Sequence, residues 1–439
     1  MERHARSWGR IDFGPQRELG QWHRSDPLPA LEAGETMLPR GCGRSYGDSC
    51  MNAGGAVVNA RGMDRFIAFD AQRGVLVCEA GVTLGEILDC TLPQGWRLPV
   101  VPGTRFVTVG GAIANDVHGK NHHHAGTFGR HVRRFELLRS DGSRRICAPG
   151  ENADWFAATI GGLGLTGMVT WAELALVPVD GDALEQELIR FDRVADFFAL
   201  ADESDARFDY TVAWVDCLAR GDGLGRGIFM RANHAPSRER PAGKVKRAHL
   251  GVPFPPPLSL VNLPSIALFN ALYYRRVGAR PARSVVSMDR FFFPLDAIAD
   301  WNRIYGPRGF YQYQCVLPPG QAEDGVRAML QLISASRTGS FLSVLKRFGP
   351  LASPGLLSFP RPGVTLALDF PNRGQPTLDL LERLDGVTRA AGGAVYPAKD
   401  GRMSPASFRA YFPHWEALVP FQDPQFSSSF WRRVTALPQ

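Results

Sequence analysis

Between Val101 and Gly129 the chain reads VPGTRFVTVGGAIANDVHGKNHHHAGTFG, and no other stretch limits its folding options as strongly. Gly103, Gly110, Gly111, Gly119, Gly126 and Gly129 punctuate a segment too irregular for a helix and too glycine-rich for a core strand, so backbone open to a ligand is expected here. Free N–H groups in such a run suit a pyrophosphate.

Two further glycine loops flank it. Leu38 to Gly55 reads LPRGCGRSYGDSCMNAGG, and Gly161 to Gly167 reads GGLGLTG. Between the loops, Ala56 to Asn59, Arg65 to Asp70 and Val75 to Glu79 read as short strands. Thr83 to Glu86 forms a capping box for a helix that Pro93 ends. The combination points to a nucleotide cofactor without saying which. Neither a dinucleotide fingerprint between strand and helix nor a phosphate-binding G-x-x-x-x-G-K-[ST] loop is present.

The 439 residues, 44% hydrophobic and 21% charged, allow two or three globular domains. A formal charge of +7 favours anionic partners, whether phosphorylated small molecules, nucleic acid or an acidic membrane surface. The arginines are scattered and no nucleic-acid-binding signature accompanies them, so nucleic acid is not expected. Seven cysteines, without a C-x-x-C pair, read as free thiols in a reducing compartment. With neither a secretory signal nor an apolar run of about 18 residues, a cytoplasmic protein is expected, with contact at the inner face of the cell membrane left open.

Pro178 closes the first unit. Residues 1–180 are expected as the cofactor domain and 181–393 as an α+β substrate domain with a mainly antiparallel sheet. Residues 394–439 are expected to return to the first unit. Within the second, Ala235 to Arg283 is proline-rich and expected to be irregular. Its Ile266, Leu268, Phe269, Leu272, Tyr273 and Tyr274 run into Arg275, Arg276, Arg280 and Arg283. This is either a loosely packed surface insertion or a face for anionic lipid headgroups.

RGCGRSYGD (Arg40 to Asp48), PGTRFVTVGGAIANDVHGKNHH (Pro102 to His123) and GGLGLTG resemble the PCMH-type FAD-binding domain of vanillyl-alcohol oxidase-type flavoproteins. With WNRIYGPRGFYQYQ (Trp301 to Gln314), SFLSVLKRFGP (Ser340 to Pro350) and YPAKDGR (Tyr396 to Arg402), the chain resembles the decaprenylphosphoryl-β-D-ribose 2-oxidase family along nearly its whole length. That resemblance implies FAD held by Arg40, Gly41, Cys42, Gly43, Arg44, Ser45, Tyr46, Gly47 and Asp48 of the first loop. It adds Gly103, Thr108, Val109, Gly110, Gly111, Asn115, Asp116, Val117, His118, Val169 and Tyr396. Relatives that bind flavin covalently often carry a histidine where this chain has Arg44, so non-covalent FAD is expected.

The same resemblance implies oxidation of the 2-hydroxyl of a polyprenylphosphoryl-β-D-ribose by hydride transfer, with a separate NAD(P)H-dependent short-chain reductase completing an epimerisation to the arabinose form. Lys399 and His118 are the catalytic candidates, with their roles unassigned. Lys120, Trp214, Tyr311, Gln312, Gln314, Lys346 and Ala367 are expected on the substrate side. Ala367 stands where the family pattern has a cysteine, and Ser343 and Thr365 where it has asparagines. An aldose, alditol or sugar-lactone oxidase and a non-catalytic, membrane-associated FAD-binding protein are the alternatives. His122, His123 and His124 invite a metal, but adjacent side chains in extended backbone diverge and no Cys or carboxylate set accompanies them, so none is expected.

Overall fold

The computed structural model describes residues 6–236 and 250–436. Its first unit is built on a five-stranded antiparallel sheet in the order Phe66–Asp70, Val75–Glu79, Met168–Ala175, Val132–Leu138 and Arg144–Cys147. A small parallel sheet, with Ala56–Asn59 between Arg17–Gly20 and Met37–Arg40, lies at the chain's start. The Leu84–Thr91 helix begins where expected: Thr83 Oγ1 accepts from Glu86 N and Glu86 answers at Thr83 N.

The second unit is an eight-stranded sheet whose pairings are all antiparallel. Its order is Ala282–Ser287, Ala183–Phe191, Gly227–His234, Tyr210–Val215, Ser343–Phe348, Gly363–Pro371, Phe310–Leu317 and Ala394–Val395. The helices Val194–Asp205, Ala322–Ser336 and Gln375–Ala390 contribute Phe197, Met329, Ile333 and Leu384 to one buried cluster with that sheet. Burying such side chains contributes about 1.5–3 kcal/mol each. The whole is α+β, a unit built on the five-stranded sheet joined to a unit built on the eight-stranded antiparallel sheet. No described helix is long and apolar enough to cross a membrane.

The last residues lie against the first unit. Met37 N donates to Gln425 O, and the Ser429–Thr435 helix brings Arg433 onto Asp48.

Two expectations of irregular backbone are corrected. Within the glycine-rich centre, Val109–Ala114 is a short helix capped by Thr108, whose Oγ1 accepts from Gly111 N at 3.2 Å. A Cβ on Gly110 would meet the Ala80 Cβ at 3.2 Å, so glycine there permits close helix-to-strand packing. In the proline-rich insertion, Leu263–Arg275 is a 13-residue helix capped by Asn262. Pro264 falls in its first turn, where the missing N–H has no intrahelical partner to lose. RERPAGKVKR, residues 238–247, lies outside the described residues.

Candidate active site

A cavity of about 670 Å³ runs between the two units. One end is lined by the first loop (Arg40, Gly41, Cys42, Gly43, Arg44, Ser45, Tyr46) with Gly103, Thr108, Gly110, Gly111, Asn115, Val117 and Val169. The other is lined by the second unit's sheet, through Trp214, Gln312, Gln314, Lys346, Thr365 and Ala367. His118, Lys120, Tyr396 and Lys399 complete the lining.

The strand period sorts the predicted substrate residues. Side chains two apart share a face, so Gln312 and Gln314 reach the cavity together. Tyr311 points to the opposite face, toward Gly401, and its expected place as a cavity wall is corrected. Gly47, Asp48, Val109 and Asp116 also lie outside the lining. Val109 is in the core, and a Cβ on Gly47 would sit 1.6 Å from the carbonyl oxygen of Asp400. Asp48 pairs with Arg433, while Asp116 accepts from Ser353, Ser358 and Gly129 N. Their side chains brace the cavity from behind.

The loop bearing Lys399 is fixed at three points. Tyr396 N donates to Gln314 O at 2.9 Å, its hydroxyl donates to Asn115 O at 2.7 Å, and Lys399 N donates to Tyr396 O at 3.0 Å. Tyr396 thereby joins the Lys399 loop to the segment carrying His118. The His118 and Tyr396 rings stand 5.3 Å apart. Lys399 Nζ lies 3.8 Å above the Tyr46 ring centroid. Burial lowers the Lys399 ammonium to about 7, with Asp369 opposing the shift.

Gln314 Nε2 lies 2.9 Å from His118 Nε2 and donates to Thr365 Oγ1 at 3.1 Å. Donation to His118 Nε2 places the ring proton on Nδ1, which is buried without a protein partner. Burial, then the charges of Lys346, His122 and Lys399, keep this imidazole well below its ordinary pKa, so it is neutral.

Lys346 is lowered to about 7, first by burial and then by Lys120 and Lys399. Lys120 is also lowered to about 7 by burial. Its Nζ donates to the carbonyls of Phe291 and Phe292, so it holds the cavity wall. His122 and His123 likewise serve packing: His122 Nδ1 accepts from Gly349 N at 3.2 Å, and His123 Nε2 meets Phe208 O at 2.9 Å. Among the described residues no group of His, Cys, Asp or Glu has metal-binding geometry.

Asp369 was not picked out from the sequence. Fully buried, it accepts from Gln312 Nε2 at 2.6 Å and from the Tyr305 hydroxyl at 3.3 Å, and burial raises its carboxyl to about 7. A lone carboxylate between Leu368 and Phe370 was the available signal, because an unpaired charge inside an apolar strand needs an explanation.

The glycine-lined end suits FAD. A Cβ on Gly103 would meet nothing within 4 Å, so this backbone faces open space. The Arg44 guanidinium, 4.0 Å from the Trp8 ring centroid, leaves Nε buried and unpartnered, as is Ser49 Oγ. Such groups match a phosphate-bearing ligand with polar edges.

Comparison with known proteins agrees with this geometry. Residues 29–148 match the FAD binding domain model. Over 431 residues the chain is 36% identical to decaprenylphosphoryl-β-D-ribose oxidase of Mycolicibacterium smegmatis, covering 93% of this chain and 91% of that protein. An uncharacterized protein of Streptomyces coelicolor is 37% identical over 76% of this chain and 92% of its own length. A putative D-arabinono-1,4-lactone oxidase of Neurospora crassa is 27% identical over 36% of this chain and 28% of its own length. The chain belongs to the decaprenylphosphoryl-β-D-ribose oxidase family and is an FAD-dependent oxidoreductase.

Proposed function

We propose that the chain oxidises the 2-hydroxyl of a polyprenylphosphoryl-β-D-ribose to the 2-keto sugar. The observation that carries this reading is the convergence of Lys399, His118, Gln312, Gln314 and Lys346 on the sheet-lined end of a cavity whose other end is glycine loop. Similarity over almost the full length to a protein named for that substrate supports it.

FAD, bound along the glycine loops, supplies the hydride acceptor that no side chain provides. The loops carry no histidine at Arg44, so the cofactor is held without a covalent bond there. Lys399 Nζ, neutral above about pH 7, takes the hydroxyl proton as the C2 hydrogen departs with its electron pair. His118 and Gln314 orient the sugar, with the imidazole Nδ1–H as an available donor. Lys346 meets the phosphate as a point charge. The apolar lining, including Leu188, Val212, Met230 and Val344, takes the first prenyl units.

The ketone product then needs reduction to complete an epimerisation to the arabinose form, which assigns the second step to a separate NAD(P)H-dependent short-chain reductase. A lipid-linked substrate supports work at a membrane surface, and we read that surface as the inner, cytoplasmic face of the cell membrane.

Anaerobic stopped-flow mixing of the FAD-loaded protein with a substrate panel tests this. Flavin bleaching by detergent-dispersed polyprenylphosphoribose but not by free ribose, alditols or sugar lactones is expected. Equal bleaching by free sugars would assign a soluble-sugar oxidase, and bleaching by none would leave a non-catalytic FAD-binding protein.

A further inference from the structure

The exposed residues in the cavity lining are Gly103 on the glycine-loop side and Arg276, Ser284, Arg290 and Pro294 on the other, so one opening lies beside Arg276. Arg276 ends the Leu263–Arg275 helix, and its guanidinium lies 3.7 Å from the Tyr273 ring centroid. Tyr273 packs in turn on Trp214, at 4.7 Å between ring centroids, inside the cavity.

The outer face of this helix is unusual for a soluble surface. Ile266, Asn270 and Tyr274 turn inward, whereas Leu268 and Leu272, one turn apart on the opposite face, are 63% and 62% exposed. The ribbon leading to the helix adds Leu250, Phe254, Leu258 and Leu260, all exposed. Six of the thirteen exposed large hydrophobics among the described residues thus lie between Leu250 and Leu272, a concentration that marks an interaction face. The ribbon is held in place: Val252 N donates to Ala299 O, Leu260 N to Ile304 O, and Arg303 to the carbonyls of Val252 and Pro253. Exposed Arg275 and Arg276 close the helix and give the face a cationic edge; exposed Arg280, Arg283 and Arg290 follow in the chain, with Arg283 paired to Glu187.

We infer that the Leu250–Leu272 face, with its arginine edge, docks on an anionic lipid bilayer and sets the cavity opening against the membrane surface. Apolar side chains that enter the acyl boundary beside cations that meet headgroups are the physical signature of such a contact. The arginine edge argues against a second copy of this chain as occupant, since a two-fold contact would bring like charges together. The inference rests on the lipid-linked substrate proposed above and extends it: the cavity opens beside the face where a prenyl chain would leave the protein for the bilayer.

Co-sedimentation of the full FAD-loaded chain with phosphatidylcholine vesicles, with and without phosphatidylglycerol, is the test. Binding to the mixed vesicles, weakened by high salt, is expected. Leu268→Asp with Leu272→Asp should weaken it roughly ten-fold or more. Phe254→Asp with Leu258→Asp is a second, independent variant with the same expected loss. Both pairs should keep their FAD, melting temperature and bleaching by detergent-dispersed substrate. Wild-type protein that ignores both kinds of vesicle would overturn the inference, as would a concentration-dependent dimer that the leucine variants dissolve. For the wild-type protein, no vesicle binding with intact bleaching defeats the docking face alone, and vesicle binding without bleaching defeats the substrate reading alone.

Discussion

Lys399 Nζ stands 3.8 Å from the centroid of the Tyr46 ring, in the cavity that His118 also lines. The contact joins the first glycine loop to the last loop of the second unit, since Tyr46 N donates to Ala398 O at 2.9 Å. An aromatic face stabilises an ammonium, and burial opposes it. Burial dominates here, lowering Lys399 to about 7.

The pH dependence of flavin reduction follows. The proposed base is the neutral amine, which predominates above about pH 7. Limiting reduction rates in stopped flow should rise through pH 7 and level off, falling about ten-fold per pH unit on the acid side. A flat profile from pH 6 to pH 9, on the order of three units, would remove Lys399 from the proton transfer.

His122 makes a separate prediction about stability. Burial, and then Lys346, lowers it to about 3 from an ordinary 6.5, and its Nδ1 accepts from Gly349 N. Between those two values the unfolded chain binds a proton that the folded chain does not, so stability falls as pH drops through 6.5 toward 3. His122→Asn retains an acceptor but cannot be protonated there. Its chemical denaturation midpoint should vary less across that window than wild type's, and an identical pH slope would contradict the assignment.

Arg433 ties the C-terminal helix to the first loop. It donates from Nε and Nη2 to the two oxygens of buried Asp48, at 2.9 and 2.7 Å, and reaches Asp400 at 2.9 Å. Arg433→Met leaves two buried carboxylates without their cation and should lower unfolding free energy by about 3 kcal/mol. Denaturant titration measures that loss, and dialysis should show faster FAD release because the cradle loop loses its brace.

Much of the site was legible because its elements carry local signals. The glycine loops, the Thr83 capping box and the alternation that puts Gln312 and Gln314 on one face are visible residue by residue. Tyr311 belonged to the same motif, and the period-2 rule applied to it would have placed it on the other face. Asp369 was missed because its partners Tyr305 and Gln312 are distant in sequence. The Val109–Ala114 helix was obscured by glycines that serve packing against Ala80, and the Leu263–Arg275 helix by a proline in its permissive first turn.

The central claim is that a flavin held by glycine-lined backbone is reduced in a chamber where Lys399 takes the proton. Its most direct test is the anaerobic absorbance of Lys399→Ala mixed with polyprenylphosphoribose. The variant should keep the yellow FAD spectrum and the wild-type melting temperature, with flavin reduction slowed by about 10²–10⁴-fold. Bleaching at the wild-type rate would contradict the account.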